Sequence, residues 1–213
     1  MSNQIYVWDK FVRVFHWSLV TLFCVSYLTG EELELVHVYS GYLICGLVVS
    51  RIIWGFVGSR YARFKTFLFS PATIIDYAKS YRQGNPKHFI GHNPLAGVMI
   101  VALLATLLAI SVSGMKLYAV EEGKGPLAQV PRVQLVNSAY ADDDDEHEGY
   151  ENEDYENHGY ENEGEEFWED IHEASVNMMI LLIVLHLLGV AVSSRLHNER
   201  LVAAMISGFK TKP

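Results

Sequence analysis

The stretch FVRVFHWSLVTLFCVSYLTG, residues 11–30, decides the fold. Apart from Arg13 and His16 it is uncharged and almost wholly apolar. A hydrocarbon core of ~30 Å needs about 20 helical residues to cross it, so this stretch reads as a membrane span. His16 lies one turn inside. A titratable ring placed in hydrocarbon is costly and needs a partner.

Working outward, four windows qualify as spans: 11–29, 36–57, 95–117 and 171–192. The second, VHVYSGYLICGLVVSRIIWGFVG, holds one full charge, Arg51, near its far end. The third follows Asn93-Pro94, a natural helix start, because proline lacks only an N–H that the first turn does not use. The fourth, IHEASVNMMILLIVLHLLGVAV, is interrupted by two histidines and a glutamate. The expected fold is all-α: an integral membrane four-helix bundle forming a single domain over residues 1–213. No A-x-A-like cleavage site follows the first window, and Phe15, Trp17 and Tyr27 suit a retained anchor.

The net charge of −9 hides two populations, since 18 of the 25 acidic residues fall within 121–170. Between the second and third spans lie Arg60, Arg63, Lys65, Lys79, Arg82 and Lys87 against a lone Asp76. The tail adds Arg195, Arg200, Lys210 and Lys212. Lys and Arg mark the cytoplasmic side, so both termini are expected in the cytoplasm and residues 121–168 outside. That acidic segment, with its Tyr-Glu-Asn units, has too little apolar surface to fold and is expected to be disordered. It reads either as a solvated linker or as a landing patch for a positively charged soluble partner such as a c-type cytochrome. It lacks the spacing of a calcium loop. Cys24 and Cys45 form neither CxxC nor CxxCH and read as buried, inert thiols.

Of nine histidines, His147 and His158 fall in the acidic segment, and His88, His92 and His197 in basic connections, where they read as solvated. Four remain. At ~1.5 Å per residue, His16 lies ~7 Å and His186 ~9 Å from the inner side. His37 and His172 lie just inside the outer edge. The depths match in two pairs, His16 with His186 and His37 with His172. Fourteen residues separate His172 from His186, close to four whole turns, so both rings face the same way. Helix–helix hydrogen bonds are one reading of such residues. Another is a bis-histidine haem iron, which neutral imidazole suits. Gly41, four residues after His37, and Gly189, three after His186, would let a flat macrocycle approach the backbone; small residues at helix crossings are the structural alternative. HEASV at 172–176 lacks the second histidine of a zinc HExxH.

The chain resembles the bacterial cytochrome b561 family and the di-haem b-type cytochrome subunits that anchor nickel–iron hydrogenases and formate dehydrogenases. The resemblance is carried by VWDKFVRVFHW, the H-x-x-x-G of His37 to Gly41, RIIWGFVGSRYARF, HNPLAG, the LHLLGV of the fourth window and SSRLHNERLVAAMISGFK. It covers most of the chain except the acidic segment. It implies two haem b groups, the inner held by His16 and His186 and the outer by His37 and His172. It also implies electron transfer across a bacterial inner membrane, between quinone in the lipid and a periplasmic redox partner. That partner would be a c-type cytochrome or a hydrogenase or dehydrogenase subunit; nucleic acid is not expected. Arg13, three residues before His16, and Arg51 could bind a propionate of the inner haem, or snorkel to the interface. Lys116 is a weaker counterpart on the outer side. A transporter or metal-handling protein built on intramembrane histidines is the rival reading, and a structural anchor is a third.

Overall fold

The computed structural model describes residues 4–30, 32–84, 87–128 and 153–211. Among them run six helices: α1 (Lys10–Thr29), α2 (Glu34–Val57), α3 (Pro71–Arg82), α4 (Pro94–Glu121), α5 (Glu153–Leu196) and α6 (Leu201–Ser207). Four of these, α1, α2, α4 and α5, are long and apolar enough to cross a membrane, α5 over Gly164–Leu196. They contain the four windows read from the sequence. The fold is not helical throughout: β1 (Gln4–Tyr6) pairs antiparallel with β2 (Phe209–Thr211), Ile5 opposite Lys210. This short ladder brings the two ends of the chain together.

The chain divides into two compact units, residues 1–111 with 175–213, and residues 112–174. In the first, α1 and α2 pack closely along one another. Phe15, Ile44, Val48, Leu104, Leu107 and Met179 form its core, interlocked between α1, α2, α4 and α5. Outside that seam the helices remain apolar. Leu28, Leu43, Phe56, Val57 and Leu187 are all more than half exposed, as suits a surface whose solvent is lipid. Cys24 and Cys45 are free, but Cys24 lies on this exposed surface, not buried as expected.

Local signals set where the helices begin. The Asp9 carboxylate caps α1, accepting from the Val12 N–H at 2.8 Å. Its other oxygen accepts from Trp54 Nε1 at 3.1 Å and from the Ser59 hydroxyl, tying α1 to the end of α2. Burial alone would favour the neutral acid. The hydrogen bonds from Ser59, Val12 and Trp54, with the Arg51 charge, outweigh it and hold this carboxyl below the usual range. Asn93 caps α4 through Ala96 N–H at 2.8 Å, with Pro94 in the first turn. Gly97 is required there, because a Cβ would run into the Phe67 carbonyl.

The second unit contains the end of α4 and the start of α5. Residues 129–152 of the acidic segment lie outside the described residues. From Glu153 onward the chain is helical, so the disorder expected for 121–168 does not hold over 153–168. Glutamate is a good helix former, and a helix nucleated by an apolar span extends outward at little cost, whatever its polarity.

Candidate functional site

In the first unit, His16 on α1 and His186 on α5 come near enough for their charges to interact. His16 stands edge-on to Trp17 at 5.1 Å, and its Nδ1 is buried with no hydrogen-bond partner. A sealed, unpaired ring nitrogen of this kind is uncommon in a finished interior. Beside His186, no atom lies within 4 Å of where a Cβ would stand at Gly189; the same holds at Gly41, one turn after His37. Both glycines therefore face open space.

The other two histidines are held differently. His37 places Nδ1 2.9 Å from the Ser26 carbonyl oxygen and 3.3 Å from its hydroxyl. A carbonyl only accepts, so the proton is on Nδ1, and Nε2 is the lone-pair nitrogen able to bind a metal. In the second unit, His172 Nδ1 lies 3.1 Å from the hydroxyl of Ser113, itself almost fully buried. Gly114 gives that ring its place, since a Cβ there would stand 2.9 Å from His172 Cε1. Neither serine, nor Gly114, was singled out in the sequence. Nothing local marks them, because each acts on a histidine of another helix.

Both arginines donate to backbone carbonyls. Arg51 is 3% exposed, with its guanidinium 5.6 Å from the centre of the Phe64 ring and Nη2 donating to the Ala62 carbonyl at 3.2 Å. Its Nη1 is sealed without a partner. Arg13 donates through Nη1 to the Ile206 carbonyl, and its Nε is likewise sealed and unpaired. Lys116 belongs to α4 in the second unit.

Three histidines expected to be solvated are drawn into the same terminal cap. His88 Nε2 pairs with Glu199 at 2.9 Å, and Glu199 also binds Lys210 at 2.8 Å, the last pair buried. The His197 ring lies 5.1 Å from that of His88. His92 is wedged between Trp8 at 4.5 Å and Phe67 at 4.9 Å, with Nδ1 sealed. Burial, then the nearby charges of Arg51 and Lys210, pushes its pKa down to about 3.

These features fit a haem. Among the described residues no group of three or more His, Cys, Asp or Glu could hold a bare metal ion. A haem iron already has its macrocycle and asks the protein only for axial ligands. An imidazole with Nδ1 fixed as donor at His37, open space at glycine, and guanidinium nitrogens lacking acceptors match those needs.

The family model described as prokaryotic cytochrome b561 matches residues 7–208. The chain belongs to this family of haem-b-carrying membrane cytochromes. It is 28% identical to the "Probable Ni/Fe-hydrogenase B-type cytochrome subunit" of Rhizobium leguminosarum bv. viciae, over 58% of this chain and 62% of that protein. The protein of the same description from Azotobacter vinelandii is also 28% identical, with the same coverage. The "Probable Ni/Fe-hydrogenase 1 B-type cytochrome subunit" of Escherichia coli (strain K12) is 25% identical over 54% of this chain and 60% of that one. The chain thus spans about three-fifths of these relatives' length. No solved structure matches it.

Proposed function

We propose that this protein is a di-haem b-type cytochrome of a bacterial inner membrane. It would move electrons between quinone in the bilayer and a redox partner on the periplasmic side. His16 and His186 would hold the inner haem, and His37 and His172 the outer. The pairing rests on matched depths and on the family resemblance. Both termini are cytoplasmic on the charge rule, and the acidic segment is periplasmic. Bound haem b supplies reversible one-electron chemistry.

The chain's own residues do the rest. Each imidazole offers Nε2 as a neutral donor. At His37, the Ser26 carbonyl enforces that choice. This enforced tautomer is the observation that supports the reading most. Gly41 and Gly189 keep their helix faces clear. Arg13 and Arg51 each have one buried nitrogen able to donate to a propionate.

The relatives' descriptions favour a nickel–iron hydrogenase as the periplasmic partner over a c-type cytochrome. The test is a reduced-minus-oxidised visible spectrum of the purified protein, with a pyridine haemochrome count. Two haem b per chain is the expected result, falling to one in His37→Ala. No haem after expression with ample haem supply would overturn the reading and return the histidines to transport or packing.

A further inference from the structure

Resting on that di-haem reading, we infer that Ser26 and Ser113 are positioning residues that set the outer haem at the lower potential.

The argument starts from Nδ1. An acceptor on the Nδ1–H of a ligating imidazole fixes the ring and draws its proton outward, which makes Nε2 a stronger donor. A stronger donor stabilises ferric over ferrous iron and lowers the potential. At His37 the Ser26 carbonyl is such an acceptor, and at His172 the Ser113 hydroxyl becomes one once Nε2 binds iron. His37 has the Ser26 carbonyl at 2.9 Å, with the hydroxyl at 3.3 Å, and His172 has the Ser113 hydroxyl at 3.1 Å. His16 has none, because its Nδ1 is sealed without a partner. Its Nε2 is therefore the weaker donor.

Fixed charge acts in the same direction. Glu169, Asp170 and Glu173 lie within three residues of His172, and negative charge opposes an incoming electron. At the inner site Arg13 precedes His16 by three residues, and Arg51 is buried one unpaired nitrogen short. Positive charge there favours the reduced form. Ligand basicity and local charge agree on the order.

The two serines should differ in weight. Ser26 acts chiefly through its backbone carbonyl, which no substitution removes. Ser113 acts through its hydroxyl alone, so Ser113→Ala deletes the acceptor. The experiment is a potentiometric titration of the haem spectrum of the full-length, haem-loaded protein, with haem counted in every variant. Wild type should show two midpoints. Ser113→Ala should raise the lower midpoint and leave the upper one in place. The expected size is roughly a tenfold change in the oxidised-to-reduced ratio, about 59 mV for a one-electron couple. Ser113→Thr, which restores the hydroxyl, should return it, and Ser26→Ala should shift the same midpoint less. If Ser113→Ala loses haem, Ser113→Cys, a weak acceptor of similar size, carries the same prediction. Two haems with an unmoved lower midpoint, or a shift of the upper one alone, would overturn the inference and leave the di-haem reading standing. Fewer than two haems in the wild-type protein would overturn both.

Discussion

The pair His16 and His186 and the pair His37 and His172 sit on helices of similar apolarity, yet their surroundings differ in kind. His37 and His172 are each held through Nδ1 by a serine of a neighbouring helix. His16 has a buried Nδ1 with no acceptor, and the chain forms a polar cap where its two short strands meet. There Asp9 ties Trp54 and Ser59 to α1, Glu199 ties His88 to Lys210, and β1 pairs with β2. The contrast teaches that one residue type can be supported in two ways. The rings of His37 and His172 are each oriented by a serine, whereas His16 has no such partner.

The comparison can be broken most directly at the ligands. His186→Ala and His172→Ala should each remove one haem of two, with different midpoints lost, as read by haemochrome count and potentiometric titration. Loss of both haems from either change would deny that the sites are separately held. Next comes Gly114→Val. Its side chain would meet the His172 ring, and outer haem retention should weaken on the order of tenfold with the inner haem kept. Equal loss at both sites would mean that Gly114 serves general packing.

The cap is tested by stability, not haem content. Glu199→Ala leaves Lys210 charged and buried, which should cost about 3 kcal/mol. The thermal midpoint should fall while two haems remain. The last effect concerns pH. His92 stays neutral in the fold at a pKa of about 3, whereas the unfolded chain takes up a proton near the ordinary 6.5. Between these values the unfolded state binds more protons, so stability should fall as pH drops from 6.5 toward 3. His92→Gln should flatten that part of a plot of thermal midpoint against pH. An unchanged slope would place the acid sensitivity elsewhere.

Much of this molecule was legible without its structure, and the legible part has a common cause. Span length, apolarity and the depth of a histidine along a helix are one-dimensional properties, read from residue type and a fixed rise per residue. The four spans could be located in this way. The start of α4 could be read from Asn93-Pro94, because a cap acts within one turn. The partners of Arg51 were not legible, for the converse reason. A lone charge near a span's end reads as a snorkelling anchor until the loop after α2 folds back and buries it under Ala62 and Phe64. His88, His92 and His197 were missed similarly.

By itself, then, the sequence determined an apolar four-span chain with histidines at two depths and a strongly uneven charge. Only the tertiary structure decided which atoms those histidines meet. Ser26 reaches His37 across 11 residues, Ser113 reaches His172 across 59, and Glu199 reaches His88 across 111. Hydrogen bonds require the right atom within about 3 Å at the right angle. Nothing along the chain carries that information until helices far apart in sequence have packed side by side.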